Sequence, residues 1–476
     1  EVLQRTANRG SISDGGYEID NSCKFEANNS EQLFRTPSSD GNMKTWTYSV
    51  WFKRTELGVS SQLISALDTY MYFETDDSAW LNLRSASTNF FMATNRVFRD
   101  TSAWYHVVIA CDTTDSTAAD RLKLYVNGVR ETSFKNSTYQ DIDGDDNTGM
   151  NKATVHRIGT YSNYGAYFNG YMAEINQIDG QALAPTEFGE VDSDTGIWIP
   201  KEYTGSYGTN GFYLDFADAS DLGDDESGNG NDFTEGGIAA ADQATDTPTN
   251  NFCTLNILDQ RTDTPTVTTE GATVNVQDPG SGTGQLRGTM GASSGKWYWE
   301  VELDAFEGSS MYYLYGISSL DLSAESSTYT GSDDGGYSVG IYGQNGNVYY
   351  NNNSTSFETN GPGADGDLIG VFLDLDNGTL RFSKNGTLIG NVSGTDAIAR
   401  SSASLTGKNF WTASFSDGTN STSLRTLFKT NFGGYTTISI SSAQSDSNGY
   451  GTFEYTPNDG TYDYYALCTK NLAETG

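Results

Sequence analysis

Between residues 17 and 200 the chain alternates apolar and polar positions in short runs, the period of strands rather than helices. Trp46, Tyr48, Val50 and Phe52 fall on one face of such a run, and Thr47, Ser49 and Lys53 on the other. Trp51 interrupts the polar face, which predicts that a second sheet covers it. Residues 104–110 are apolar almost throughout and read as a central strand of a sandwich. Residues 122–126 run into Asn127-Gly128, a pair that tolerates positive φ at both positions of a tight hairpin turn. No run keeps a helical period over the length of an ordinary helix. The best helical candidate is a single turn over residues 184–188.

From residue 201 to residue 260 the pattern dissolves. Residues 221–232 are acidic and rich in Gly and Asn, and residues 239–250 hold no strand pattern, so this stretch reads as a seam. Strand signals resume at residues 296–303, where Trp297, Trp299, Val301 and Leu303 alternate with polar or outward positions. Residues 370–374, the turn Asp376-Asn377-Gly378, residues 380–382, Asn385-Gly386 and Leu388-Ile389 then repeat the strand–turn–strand device of the first half. No repeat of solenoid or propeller length is present. The predicted fold class is all-β: two antiparallel β-sandwich (jelly-roll) domains in tandem. The first domain is expected over 1–235, a linker over 236–260 and the second domain over 261–476.

Charge narrows the partners. Asp and Glu number 62 against 27 Lys and Arg, and the resulting −35 repels nucleic acid and anionic membrane surfaces alike, so neither is expected. No apolar run is long enough for membrane insertion by a helix, and Glu1 is followed by no signal-peptide pattern. The 8 Trp, 29 Tyr and 23 Phe supply material for large cores, which excludes a disordered acidic chain. His106 and His156 are the chain's 2 histidines, too few for a His-rich metal centre. Cys23, Cys111, Cys253 and Cys468 show no C-x-x-C spacing; buried free thiols and a Cys253–Cys468 bridge both fit.

Residues 104–108, 122–128 and 168–175 together resemble the laminin-G-like branch of the concanavalin A-like lectin/glucanase fold, over roughly residues 17–235. Gly295-Lys296-Trp297-Tyr298-Trp299, Tyr315-Gly316-Ile317, Gly336-Tyr337-Ser338-Val339-Gly340 and Asp367-Leu368-Ile369-Gly370-Val371 resemble a SPRY domain. Lys44-Thr45-Trp46, Phe98-Arg99-Asp100, residues 178–183, residues 201–205 and residues 246–251 resemble segments of large fibre or adhesin-like proteins of marine bacteriophages, in which two such modules stand in this order. That resemblance implies a non-enzymatic component of the virion surface, extracellular in use: a tail fibre, capsid fibre or decoration protein. Its implied partners are host-surface or environmental glycans, other virion proteins and further copies of itself in a homo-oligomer. Residues 464–472 resemble a connector that leads into further domains.

Three groups of residues carry candidate chemistry. The loop holding Tyr161, Asn163, Tyr164 and Tyr167 spaces aromatics amid small residues; it suits stacking on sugar rings, or simply covers the sandwich edge. Asp141, Asp143 and Asp145 in one loop, and Asp225, Asn229, Asn231 and Asp232 in another, supply the hard oxygen ligands that Ca²⁺ takes; solvated acidic turns are the plainer reading. Glu302, Asp304 and Glu307 fit the E-x-D-x-x-E strand of β-glucanase-type glycan hydrolases, or the polar face and following loop of a SPRY strand. A purely structural decoration or filament subunit is the remaining alternative.

Overall fold

Period-two alternation becomes antiparallel sheet in both halves of the computed structural model, which describes residues 16–84, 89–137, 146–161, 165–260, 265–267, 271–277, 285–306, 313–321, 329–332, 337–343, 345–357, 364–390, 396–398, 403–417 and 425–475. The chain divides between Asn250 and Asn251 into two units. The first opens with β1 (Ser22–Phe25), β2 (Gln32–Arg35), β3 (Thr45–Arg54), β4 (Ser61–Ala66), β5 (Thr69–Phe73), β6 (Ser78–Arg84) and β7 (Asn89–Val97). It continues through β8 (Tyr105–Asp112), β9 (Leu122–Val126), β10 (Val129–Arg130), β11 (Phe134–Ser137), β12 (His156–Ile158) and β13 (Gly170–Asp179). Short strands finish it: β14 (Gly189–Val191), β15 (Trp198–Pro200), β16 (Phe212–Leu214), β17 (Thr234–Gly236) and β18 (Gln243–Ala244).

Among the described residues one sheet runs β10-β9-β8-β3-β13-β1-β18, with β16 also on β13, and the other runs β11-β7-β6-β5-β4-β12-β2-β17. Trp46, Tyr48, Val50 and Phe52 of β3 lie in one core with Met71, Phe73, Leu81 and Met92 of the facing sheet. The Asn127-Gly128 turn forms as expected, with φ of 48° and 76°. A Cβ on Gly128 would fall 2.4 Å from the Trp198 ring, so glycine is required there twice over.

The other face of β3 is buried too, but not by the second sheet. Thr47, Ser49, Trp51 and Lys53 are at most 3% exposed. Their cover is the chain that follows β13: Trp51 stacks on His106 at 4.6 Å, His106 stacks on Trp198 of β15 at 6.0 Å, and Lys53 Nζ reaches Asp246 Oδ2 at 2.7 Å. The even-numbered positions already face the second sheet, so the odd-numbered ones need a separate lid.

The expected linker over 236–260 is instead structured. β18 pairs with β1, Asp246 is 1% exposed, and the strand Leu255–Gln260 already belongs to the second unit. Backbone pairing, the buried carboxylates of Asp242 and Asp246, and scattered core residues such as Ile238 and Leu255 hold this stretch, and none of these leaves a hydrophobic period.

The second unit also consists of two sheets, of seven and eight strands among the described residues. Its strand Lys296–Phe306 lies between Leu368–Asp374 and Arg425–Asn431, with Trp297, Trp299, Val301 and Leu303 in the main core. Tyr298 turns to a smaller cluster with Phe372, Phe453 and Tyr464 on the opposite face. The expected connector over 464–472 is part of this packing: Tyr465–Ala466 pairs parallel to Lys296–Phe306, and Tyr464, Ala466 and Cys468 are fully buried. The Cys253–Cys468 bridge does not form; all four thiols are free and buried. Phe252 is the residue that pairs with Cys468, so Cys253 has the opposite parity and its thiol enters the main core, while that of Cys468 enters the smaller cluster.

Candidate carbohydrate-binding face

Strand β5 reads Thr-Tyr-Met-Tyr-Phe, with Met71 and Phe73 buried in the core and Tyr70 and Tyr72 turned outward and half-buried. Register carries the same parity across the sheet. Tyr72 lies opposite Trp80, which lies opposite Ala93; Tyr70 lies opposite Asn82, which lies opposite Phe91. Two cross-strand rows on β5, β6 and β7 therefore present Tyr70, Tyr72, Trp80 and Phe91 on one outer face, all four half-buried.

The rings touch in sequence. Tyr70 and Tyr72 are 5.8 Å apart, Tyr72 and Trp80 6.0 Å, and Trp80 and Phe91 5.9 Å with planes 6° from parallel. Tyr161, from the loop after β12, adds a fifth ring 4.8 Å from Tyr70. Polar groups are set among them. Asn82 is 9% exposed and donates through Nδ2 to the Asp68 carbonyl at 3.1 Å. Gln62, opposite Tyr72, is 5% exposed, and its Oε1 has no hydrogen-bond partner among the described residues. Lys135 Nζ sits 5.6 Å from the centre of the Trp80 ring, donates to Ser78 Oγ at 2.7 Å and pairs with Asp76. Burial, and next the charge of Glu74, push the Tyr72 phenol well above its ordinary pKa, so it stands as a neutral hydroxyl.

Of the predicted sugar-binding loop, Tyr161 thus joins a larger aromatic face. Tyr167 is half-buried and makes no ring contact among the described residues. Asn163 and Tyr164 lie outside the described residues, as do Asp141, Asp143, Asp145 and Glu307. The residues missed from the sequence are Tyr70, Tyr72, Trp80 and Phe91. Their signal is an aromatic at both parities of one short strand, where one parity already suffices for the core.

The loop expected to hold Ca²⁺ is arranged differently. Asp225 Oδ1 accepts from the backbone N–H of Tyr213 at 2.8 Å and of Ser227 at 3.0 Å. Its Oδ2 accepts from Ser227 Oγ at 2.9 Å and from the N–H of Asn231 at 2.8 Å. Asp232 Oδ1 accepts from the Asp225 N–H at 3.2 Å. Asn229 and Asn231 both turn their amide nitrogens to the Gly211 carbonyl, at 2.9 and 2.8 Å, and Asn231 Oδ1 accepts from Arg35. A Ca²⁺ ion needs oxygen lone pairs converging on one centre. Here those lone pairs meet N–H and O–H donors, and the cation in the loop is Arg35, brought from β2. The four residues do not fit the expected ion. Among the described residues no three His, Cys, Asp or Glu side chains gather to hold a metal.

The Glu302–Asp304 pair is likewise occupied. Lys429, opposite Glu302 on the neighbouring strand, puts Nζ 2.8 Å from Glu302 Oε1 and 2.9 Å from Asp304 Oδ1. A glycosidase sets two carboxyls on either side of the scissile bond; here Glu302 and Asp304 share one lysine ammonium, and the third carboxyl of the expected set, Glu307, lies outside the described residues.

Residues 28–187 match the family model of the concanavalin A-like lectin/glucanases superfamily, and residues 296–422 match that of the SPRY domain. No curated protein matches the chain. Among solved structures, a candidate carbohydrate-binding protein from Bacteroides ovatus is similar at 15% identity over 47% of this chain, with a TM-score of 0.34; the chain spans 60% of that protein's length. The SPRY domain of human HERC1 is similar at 17% identity over 33% of this chain and 87% of that one, with a TM-score of 0.24. The native heptameric SAP-like pentraxin of Limulus polyphemus is similar at 18% identity over 36% of this chain and 80% of that one, with a TM-score of 0.27.

Proposed function

We propose that this protein, whose chain carries a concanavalin A-like lectin domain followed by a SPRY domain, is a non-enzymatic carbohydrate-binding protein that holds sugar on the outer face of β5, β6 and β7. The observation that carries the reading is the outward aromatic row from Tyr161 to Phe91. Sugar rings present apolar C–H faces edged by hydroxyls, and a flat aromatic surface with a few amides and hydroxyls set into it complements both. The matched superfamily includes lectins, which supports the same ligand class.

The likeness of several segments to phage fibre proteins supports a place on a virion surface, with other virion proteins as neighbours and several copies in a homo-oligomer. Repetition there would turn weak binding per copy into firm attachment. The test is a glycan array probed with wild type and with Trp80→Ala. Wild type is expected to bind a subset of glycans, and Trp80→Ala to lose about tenfold or more in affinity while keeping its β-sheet spectrum, in line with the cost of removing a central aromatic anchor. Release of reducing ends from the bound glycan would replace this reading with the hydrolase. Absence of binding, with ordered self-assembly in micrographs, would replace it with the structural subunit.

A further inference from the structure

The face described above does not stop at Tyr70. Tyr70 lies opposite Ser65 of β4, Ser65 opposite Arg157 of β12, and Arg157 opposite Phe34 of β2. Directly opposed residues share a face, so Arg157 stands on the same outer surface as the aromatic row, two strand spacings or about 9–10 Å from Tyr70. It is half-buried, and its guanidinium makes no hydrogen bond or ion pair among the described residues. Other arginines of this domain have acidic or carbonyl partners: Arg54 pairs with Asp77, Arg96 with Glu131 and Arg130 with Asp120. In a chain with 62 acidic residues against 27 basic ones, an arginine without a carboxylate is against the trend.

Its surroundings keep it so. The other outward positions of its own row are Phe34, Ser65, Tyr70, Asn82 and Phe91, and Thr234 opposite Phe34; those of the second row are Gln62, Tyr72, Trp80, Ala93 and Asn136. None is Asp or Glu. A planar fork of donors beside an aromatic surface matches a carboxylate or sulfate carried on a sugar, which it can hold by two parallel hydrogen bonds.

We infer that the sugar this face takes is acidic, a uronate- or sulfate-bearing glycan whose anionic group pairs with Arg157 while its ring packs on Tyr70 and Tyr161. This rests on the aromatic face being the glycan site. The net charge of −35 opposes any polyanion at long range. At ordinary salt, however, screening confines that repulsion to about 8 Å, and a direct ion pair on the face is screened much less.

The experiment is calorimetric titration, at fixed ionic strength, with three oligosaccharides of equal length: a neutral β-glucan, an oligouronate and a sulfated glucan. Wild type is expected to bind an acidic oligosaccharide about tenfold more tightly than the neutral one, the order of a charge-assisted hydrogen-bond pair. Arg157→Gln should remove that preference, leave neutral binding within about twofold and leave the melting temperature unchanged; Arg157→Lys should restore part of it. Whichever of the two acidic ligands wins identifies the anionic group. Equal binding of neutral and acidic ligands, or a preference that survives Arg157→Gln, overturns the inference and leaves the glycan site standing. Undiminished affinity in Trp80→Ala, or no binding of any ligand, overturns the site itself and the inference with it.

Discussion

The indole N–H of Trp198 donates to Nδ1 of His106 across 3.0 Å, and that contact fixes the tautomer of a buried imidazole. Indole nitrogen only donates, so Nδ1 is bare; the ring proton sits on Nε2 and goes to Ser49 Oγ at 2.8 Å. Trp51 closes one face of the ring at 4.6 Å. Burial lowers the His106 pKa to about 3. His156 is brought down to about 4, again chiefly by burial.

Acid should therefore unsettle the first unit through these two rings. Both values lie below the ordinary imidazole value of about 6.5, so the unfolded chain takes protons that the folded chain refuses. Stability present above pH 6.5 is lost as pH falls from there toward 4 and then 3. Urea unfolding at pH 7.5 and at pH 4.5 should show a smaller drop in His156→Gln than in wild type. An equal drop in the two proteins would remove the imidazole from the account.

Glu174 works in the opposite sense. It sits at the bulge of β13 with φ of 51°, its Oε1 2.7 Å from the Tyr213 hydroxyl and its Oε2 3.1 Å from that of Tyr17; the two hydroxyls are 2.9 Å apart. Three oxygen–oxygen contacts close a ring, and the two phenols supply two of the three protons it needs. The third belongs on the carboxyl, whose pKa burial pushes up to about 7. A folded value above the ordinary one of about 4.3 means stability that is complete below that pH and is lost as pH rises through 7. Glu174→Gln, whose amide keeps a donor, should flatten the decline in melting temperature between pH 5 and pH 8. Glu31, also raised to about 7 by burial, accounts for a residue of that slope. A decline as steep in the variant as in wild type would place the titrating group elsewhere.

Wherever a feature is local, the sequence shows it. The β3 alternation, the Asn127-Gly128 turn and the Trp297–Leu303 alternation each lie within one stretch of chain, and each forms as predicted. The aromatic face is not local: Tyr72, Trp80 and Phe91 come from three strands and meet only through register. The neutralisation of the loop at Asp225 and Asn231 is hidden for the same reason, since Arg35 reaches Asn231 from 196 positions away. A run of acidic residues reads as unneutralised until the cation from another strand is seen.

Lys53 and Asp246 form an ion pair with side chains 0% and 1% exposed, and Trp104 Nε1 donates to the second carboxylate oxygen at 3.0 Å. Removing one charge strands the other in a dry interior. Asp246→Ala should cost about 3–5 kcal/mol of unfolding free energy, read as a lower urea midpoint. A loss under about 1 kcal/mol, the worth of an exposed pair, would show that water reaches the site.

Asp225 accepts four hydrogen bonds from its own loop and from β16, so its contribution is structural. Asp225→Ala should lower the melting temperature by the same amount in 5 mM EDTA and in 5 mM CaCl₂ at matched ionic strength. A drop confined to the calcium sample would return the ion to this loop.

The pairing of Ser22 with Ala244 places the first and last strands of the first sandwich side by side. During synthesis, β1 emerges early and then waits for its neighbour until the ribosome has passed Ala244, and Lys53 waits as long for Asp246. A chain cut at residue 235, where the sequence pattern places the domain's end, would expose the open edge of β1 and leave Lys53 buried without its anion. Such a fragment should aggregate through that edge. One cut after Asn250 carries its own closing strand and should stay monodisperse.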